Sequence, residues 1–588
     1  MTTLYAEWLV WALPFIAIPF VLLLSRWRKV RDWFAAIIVG IAFLLSVSLL
    51  FDVQSGRIID SSIPWFSAYG FTVTAHVDGL AAFLVVVVNS LGLLIVLYSQ
   101  GYMGHETGLS RYYSLMLLFI GAMTGLVVAG NFLQLYIFWE IVGICSAFLI
   151  AFWYDRPEAV RAGLKAFLVT RIGDVALLIG LVWLYLNTGS IDFQKLSSLA
   201  SQGIIPVSLL TTTGILILIG AMGKSAQVPL HVWLPDAMEG PTTVSALIHA
   251  ATMVNAGVYL VARTYPIFSS SSTWVTTVGW VGIISALVAA SIATVTMDIK
   301  RVLAYSTISQ LGLMFASLGT GMQGGWFASQ FHLMSQGFFK ALAFLAAGSI
   351  IHMLGTRDMG EMGGLRKRMP LTFMAFLFAT LALSGVPPFV GFWSKDLIIG
   401  ELSLAKMNLQ VWLVFVVSVL SSFYMFRALF KVFFGPESQK ARDKDLREAP
   451  KIMTVPLMIL SACVLVLGFT EQGAAGLLGL KEALVFELPI IGSSIVAILV
   501  GFVPSYFSFC LARPDPRTFL QEHPHLGSLR NAILAGYGFD ALYLAVFVRP
   551  FSRISNAVRS IQTGILAKNL WPMLAVLLLL ALWLVIRP

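Results

Sequence analysis

The sequence predicts an all-α integral membrane protein of about 16 transmembrane helices, at roughly 20 residues per span. Within it are expected two inverted five-helix repeats, two discontinuous helices, a C-terminal lateral amphipathic helix and a final anchor helix. Three observations carry that reading. The 588 residues are 58% hydrophobic and only 11% charged, with mean hydropathy +0.87, whereas soluble domains run near 25% charged. The apolar segments are long enough to cross a membrane as helices, while barrel strands need only about ten alternating residues. Helix-breaking residues and mid-span charges also recur at matching intervals along the chain.

Taken in order, the expected spans are 7–25, 33–52, 79–99, 111–128, 131–152, 164–187, 206–225 and 243–265. They continue as 274–296, 301–320, 328–352, 370–393, 409–433, 451–470, 488–511 and 570–587. The first is not a cleavable signal, because it has acidic Glu7 and no basic residue ahead of it, and its basic cluster (Arg26, Arg28, Lys29, Arg31) follows it. The chain divides into helices 1–3 (1–110), a first repeat of helices 4–8 (111–265) and a second of helices 9–13 (266–433). Helices 14–15 (434–511), a lateral segment (512–569) and the anchor (570–588) complete it. In the lateral segment, Leu542, Leu544, Val546, Phe551, Ile554, Val558, Ile561 and Ile565 alternate with Arg553, Arg559 and Lys568, the pattern of an interfacial helix.

A net charge of +10 invites a nucleic-acid reading, which its distribution opposes. If the first helix enters from outside, about two dozen Lys and Arg fall in cytoplasmic connections and about six in the others. The charge then reports topology, with both termini on the outer face of a cell inner (plasma) membrane. Cys145, Cys463 and Cys510 fall within spans and read as small apolar residues. No metal, haem, phosphate-loop or nucleophile signature is evident, so no cofactor is expected in this chain.

Seven ionisable residues sit inside apolar spans: Glu140, Lys165, Lys224, His249, His332, Lys340 and Lys395. Each charge at the bilayer centre costs about 2.5–3.5 kcal/mol, so the five Lys and Glu would cost on the order of 15 kcal/mol facing lipid. They should line a wet or paired path within the protein. Two of these spans carry breaks: Ser225–Pro229 follows Lys224, and Gly385, Pro387, Pro388 and Gly391 precede Lys395 and Asp396. Unwound backbone at membrane depth must face a cavity or protein. Glu140 to Lys224 is 84 residues and Gln310 to Lys395 is 85, which suggests a repeat. Five helices per repeat is odd, so the two units run inverted, as in many transporters.

Glu140 and Lys224 are the expected ion pair, a switch if the carboxylate moves and a static staple if it does not. His332, Gln336 and Lys340 stack at i, i+4 and i+8 on one helix face, and His249 can link Lys224 to that row. Lys395 ends the series, with Asp396 as a possible counter-charge. Arg171 and Asp174, at i, i+3, are expected to pair, either modulating Lys165 or serving structure alone. Asp78, Asp236, Glu239, Lys300 and Arg301 read as solvated interface residues.

These residues stand in distinctive strings: LQLYIFWEIVGICSAFLI around Glu140, GKSAQVPLHVWLPDAMEGPTTVSALIHAATMVNAGVYLVAR around Lys224 and His249, DIKRVLAYSTISQLGLMF at 298–315 and FHLMSQGFFKALAFLAAGSI at 331–350. Over essentially its whole length the chain resembles the antiporter-like subunits of respiratory complex I, which are related to multisubunit sodium/proton antiporters and membrane-bound hydrogenases. GYGFDALY at 536–543 and the lone last span favour the large distal type. The resemblance implies a mid-membrane glutamate at Glu140, its lysine at Lys224, a connecting His249, a central relay of His332 and Lys340, and a terminal Lys395. It further implies proton translocation driven by redox energy from other subunits, with a neighbouring antiporter-like subunit, the lipid bilayer and protons as partners, and no nucleic acid. The sequence departs from that pattern in two places. Gln336 stands where relatives often have a second histidine, and the 57 residues from Arg513 to Asn569 span at most about 85 Å as helix. A gradient-driven secondary antiporter, a membrane-bound hydrogenase subunit and a purely structural anchor are the alternative readings.

Overall fold

The computed structural model describes residues 5–66, 71–443, 446–480, 488–511, 524–561 and 566–586, in two compact units, Met1–Pro524 and His525–Pro588. The larger opens with α1 (Ala6–Ile16), α2 (Ile18–Leu23) and α3 (Arg28–Gln54). A hairpin, β1 (Ile59–Phe66) and β2 (Phe71–Val77), leads into α4 (Gly79–Tyr102), α5 (Leu109–Val127) and α6 (Phe132–Ile150). Next come α7 (Pro157–Thr188), α8 (Phe193–Ser201), α9 (Val207–Lys224), α10 (Trp233–Asp236), α11 (Thr242–Ala250) and α12 (Met253–Phe268). The second half holds α13 (Ser272–Val295), α14 (Ile299–Leu318), α15 (Gln323–Leu354), α16 (Pro370–Ser384), α17 (Val390–Leu404) and α18 (Asn408–Phe433). Short α19 (Gln439–Asp443), α20 (Lys451–Val466), α21 (Glu471–Leu477) and α22 (Leu488–Ser505) close the unit. Among the described residues, 13 helices are long and apolar enough to cross a membrane. The chain is a multi-pass, predominantly helical membrane protein.

The hairpin is absent from the sequence reading. Ile59 lies opposite Val77 and Ile63 opposite Val73 in an antiparallel ladder. Side chains at the start of α6 bind its second strand: Asn131 donates to the Thr72 carbonyl at 3.0 Å, and Gln134 accepts from the Thr74 N–H at 2.8 Å. Below it, Asp78 caps α4 and receives both Arg263 nitrogens at 2.6 and 3.0 Å. Burial opposes charge on Asp78, yet Arg263 and then His76 hold its carboxyl far below the ordinary range.

Small residues let helices approach closely, which matters where lipid supplies no hydrophobic drive between them. A Cβ on Gly282 of α13 would overlap the Gly312 carbonyl of α14. Between α7 and α9, a Cβ on Gly173 would lie 2.9 Å from the Ile219 carbonyl and 3.2 Å from the Gly223 Cα. That contact places the residues beside those glycines, Asp174 and Lys224, face to face.

Both expected helix breaks occur, and a third accompanies them. After Lys224 the chain unwinds through residues 225–232, and Ala226 takes a positive φ of 49°. Freed backbone groups find side chains: Gly223 O accepts from Trp233 Nε1 at 3.0 Å, and Val228 N–H donates to Ser285 Oγ at 2.9 Å. The expected twelfth span is two helices, α16 and α17, separated by residues 385–389 and carrying on to Leu404. The unforeseen break divides the eighth span between Ala250 and Met253, where no proline or glycine stands. Here Thr252 and Asn255 side chains donate to the Leu247 and Ala250 carbonyls, each at 2.8 Å, replacing helical partners.

The smaller unit contains helices Pro524–Leu534 and Arg549–Ile561, with a 56° bend between the first helix and the stretch from Gly536 to Arg559, and the apolar helix Leu566–Ile586. Tyr537, at φ 54°, lies at the bend. Along Arg549–Ile561 the apolar Phe551, Ile554 and Val558 share a face apart from the arginines, so this helix is amphipathic. Arg513, Pro514, Asp515 and Pro516 lie outside the described residues.

Candidate functional site

Lys224 ends α9 with no exposure to solvent. Its Nζ lies 3.1 Å from Asp174 Oδ2, and Asp174 Oδ1 accepts Trp139 Nε1 at 2.6 Å. The ammonium also lies 5.7 Å from the Trp139 ring centroid, a distance at which the ring face attracts a cation. Gly143 makes room for it, since a Cβ there would overlap Nζ. The expected Glu140–Lys224 pair is therefore not formed. Glu140 instead pairs with Arg171, whose Nη1 also lies 3.9 Å from Asp174 Oδ2. The reason is geometric: Glu140 and Arg171 share the half-buried flank of α6 and α7, whereas Asp174 points into the α7–α9 contact that the glycines close. Signs alternate along Glu140, Arg171, Asp174 and Lys224. The i, i+3 spacing of Arg171 and Asp174 gives only the long 3.9 Å contact, and Asp174's main partner is Lys224 rather than anything at Lys165.

Lys165 departs from its expected mid-membrane place. It sits eight residues into the 32-residue α7 and pairs with Asp236 at 2.6 Å. From Asp236 a network runs through Arg301 (3.3 Å), Glu239 (3.9 Å), Arg357 (3.1 Å) and Asp298 (3.3 Å). The interface residues Asp236, Glu239 and Arg301 are thus networked rather than merely solvated. Lys300 departs further: it is 2% exposed, and its Nζ donates to the Met238 and Gly240 carbonyls at 2.7 Å each.

The remaining groups occupy the centre of the molecule. His249, at the foot of the unforeseen break, is fully buried with its ring 4.6 Å from Phe344. His332, Gln336 and Lys340 do share one face of α15, all fully buried. His332 Nδ1 lies 2.8 Å from Ser394 Oγ on α17, Gln336 Nε2 is 3.4 Å from Asn255 Oδ1 on α12, and Lys340 Nζ donates to Ser306 Oγ on α14. Three residues of one helix thus reach three different helices. Lys395, on α17, donates to the Leu383 carbonyl at the broken end of α16 and to Ser421 Oγ at 3.3 Å. Asp396 turns the other way, accepting from Ser494 Oγ on α22 at 2.6 Å. Among the described residues it makes no ion pair with Lys395, since neighbours on a helix point about 100° apart.

Direct side-chain bonds do not join His249, Lys340 and His332 to one another. Among the described residues, both ring nitrogens of His249, Nε2 of His332, Oε1 of Gln336, both amide atoms of Gln310 and Oδ2 of Asp396 have no hydrogen-bonding partner. Buried polar atoms almost always have partners. Such a set of atoms marks a polar interior in which bridging water belongs. Ser394, Ser306 and Asn255 were missed from sequence. A serine or asparagine on an apolar helix gives no signal by itself, and only the tertiary contact picks it out.

A family model described as NADH:quinone oxidoreductase/Mrp antiporter, TM, matches residues 129–423, and one described as NADH-Ubiquinone oxidoreductase (complex I), chain 5 N-terminus, matches residues 65–113. The NAD(P)H-quinone oxidoreductase chain 5 of a Synechocystis species is 38% identical, over 92% of this chain and 88% of the relative. The F(420)H(2) dehydrogenase subunit L of Methanosarcina mazei is 44% identical over 73% of this chain and 67% of its own length. Among solved structures, a chain of the Mrp complex from a Dietzia species superposes with TM-score 0.82 at 27% identity, covering 99% of this chain. This chain spans 63% of that one.

Proposed function

Because the chain belongs to the antiporter-like membrane subunits common to NADH:quinone oxidoreductases and Mrp antiporters, and is of their chain 5 type, we propose that it is a proton-translocating subunit of an energy-converting quinone oxidoreductase. One observation carries this reading: Lys224, Lys340 and Lys395 are all buried, on three different helices, with His249 and His332 among them. An ionisable residue inside a membrane span marks a functional site by default. Redox energy released in other subunits displaces charge in the Glu140–Arg171–Asp174–Lys224 row. Protons then pass by way of His249, Lys340 and His332, through water, to Lys395. Lys165 and Asp236 anchor the first unit, and Gln336 and Asp396 tune the second. The redox chemistry and its cofactors belong to partner subunits.

The architecture assigned to this function has 16 spans, counting α14, the broken α16–α17 pair and Leu566–Ile586 with the 13 long helices. It places α5–α12 and α13–α18 as inverted repeats, both termini on the outer face of the inner membrane, and the Arg549–Ile561 helix along the inner surface beside a neighbouring antiporter-like subunit. The test is proton pumping by the assembled complex in proteoliposomes. Lys340→Ala should lower the protons moved per electron while electron transfer to quinone persists; an unchanged ratio refutes the role. The Mrp likeness supports a second reading, a gradient-driven sodium/proton antiporter subunit. Copurification with flavin and iron–sulfur subunits excludes it, and copurification with membrane subunits alone favours it.

A further inference from the structure

At the end of the bundle that carries the ion-pair network lies a cavity of about 410 Å³, whose lining includes Tyr102, Arg156, Glu239, Thr242, Lys300 and Arg357. Three features connect it to the buried row. Lys300 reaches it with a buried ammonium held by two backbone carbonyls, and no carboxylate lies within 4 Å among the described residues. The nearby acids are committed elsewhere: Glu239 to Arg357 and Arg301, and Asp298 to Arg357. From the cavity, Thr242, Ser245 and His249 line one face of α11 at i, i+3 and i+7, a polar stripe rising about 10 Å. On α14, six residues above Lys300, Ser306 bonds Lys340.

We propose that this cavity is a proton intake at the junction of the two repeats, and that Lys300 is its first proton carrier, loading His249 and Lys340 along the α11 stripe. The proposal rests on the proton-translocating function and adds an inlet separate from the Asp174–Lys224 pair. The chemistry suits the site. An ammonium has three hydrogens, and two are used on the Met238 and Gly240 carbonyls. Loss of the third to a water on the stripe leaves an amine that keeps both carbonyl bonds and presents a lone pair where the proton was. A proton from cavity water then restores the ammonium, so the cycle closes with no rearrangement of the backbone. Around Lys300 the titratable and charged groups are Tyr102, Arg156, Glu239, Asp298, Arg301 and Arg357, with His249 on α11 and His352 against the Tyr102 ring. Arginine stays protonated throughout, so Tyr102, Glu239, Asp298 and the two histidines are the neighbours able to exchange protons.

The test compares variants of the assembled complex in proteoliposomes across pH. Lys300→Arg keeps charge and donors but cannot release a proton. It should lower protons per electron as far as Lys340→Ala does. Lys300→His should pump best near pH 6.5, where imidazole exchanges protons, and fail as pH rises. Ser245→Val, which interrupts the stripe without touching Lys300, should also lower the ratio. If Lys300 only staples the 238–240 turn, Lys300→Arg pumps normally and Lys300→His shows no pH dependence of its own; either result overturns the proposal. Should Lys300→Arg not assemble, normal pumping by Ser245→Val overturns it instead. Full pumping by Lys340→Ala would sink the broader function, whereas normal Lys300→Arg beside a defective Lys340→Ala removes only the intake.

Discussion

Replacing Asp174 by Asn swaps one oxygen for nitrogen and removes one charge, so packing against Trp139 is preserved. What remains is a Lys224 ammonium with no exposure whose one carboxylate partner among the described residues, at 3.1 Å, is gone. Breaking a buried ion pair by neutralising one member costs about 3–5 kcal/mol, because the survivor is left uncompensated. At about 1.36 kcal/mol per tenfold, the native arrangement with Lys224 charged loses roughly two to four powers of ten in population. Glu140→Gln is the control. Its partner Arg171 has a side chain 31% exposed and retains Asp174 at 3.9 Å, so the loss should stay near the 0–1 kcal/mol of a solvated pair. Thermal inactivation of the purified complex should therefore be much faster for Asp174→Asn than for Glu140→Gln. Equal or reversed sensitivity would mean that Glu140, not Asp174, is the counter-ion of Lys224.

Three further perturbations follow from the same geometry. Gly143→Ala puts a methyl group into the space of the Lys224 ammonium and should cost about 1–3 kcal/mol as overpacking; native-like stability in a melting assay would show that the lysine moves freely. Gly282→Val drives a side chain into the Gly312 backbone and should block assembly of the complex, read as loss of the subunit from native gels. His76 gives the pH dependence. Burial pulls its pKa down, but hydrogen bonds and charge from Asp78, with a further bond to Asp60, outweigh burial and the net shift is upward. The stability it lends the hairpin is then complete below the ordinary value near 6.5 and is lost as pH rises through the raised one. Hydrogen exchange in residues 59–66 and 71–77 should quicken over that interval beyond the intrinsic rate, and His76→Gln should abolish the extra change.

Mid-span lysines and helix breakers were legible in the sequence because each violates what a bilayer demands. A charge in an apolar run and a Pro-Pro pair inside a span have few structural explanations. Partner choice was not legible. Glu140 and Lys224 looked paired because each is the conspicuous charge of its helix, but contact is decided by which helix faces close up. The signal available was Gly173 beside Asp174 and Gly223 beside Lys224, two small residues that permit backbone contact. The hairpin carried its own alternation in Val73, Ala75 and Val77, between Thr72, Thr74 and His76, a period of two obscured by the apolar runs on either side. The break after Ala250 had no breaker residue; Thr252 and Asn255 form it through side-chain bonds that read as ordinary polar residues until the fold brings them to the carbonyls.

The two lysines at broken helices are held by different forces, and this asymmetry gives the proposed pathway a direction. Lys224 faces a full negative charge at 3.1 Å, worth about 5 kcal/mol of attraction at an effective dielectric near 20. Lys395 faces the carbonyl end of α16 and a serine hydroxyl. A helix C-terminus gives a cation about 0.3–1 kcal/mol at the surface and up to about 2 when partly buried. An event that draws Asp174 away therefore changes the energy of Lys224 far more than any comparable shift changes that of Lys395. Asp174 neighbours Arg171, and Arg171 holds the half-buried Glu140, so a change of charge at Glu140 reaches Lys224 through three contacts of alternating sign. In the proposed pathway the input of force then falls at Lys224 and the release of protons at Lys395.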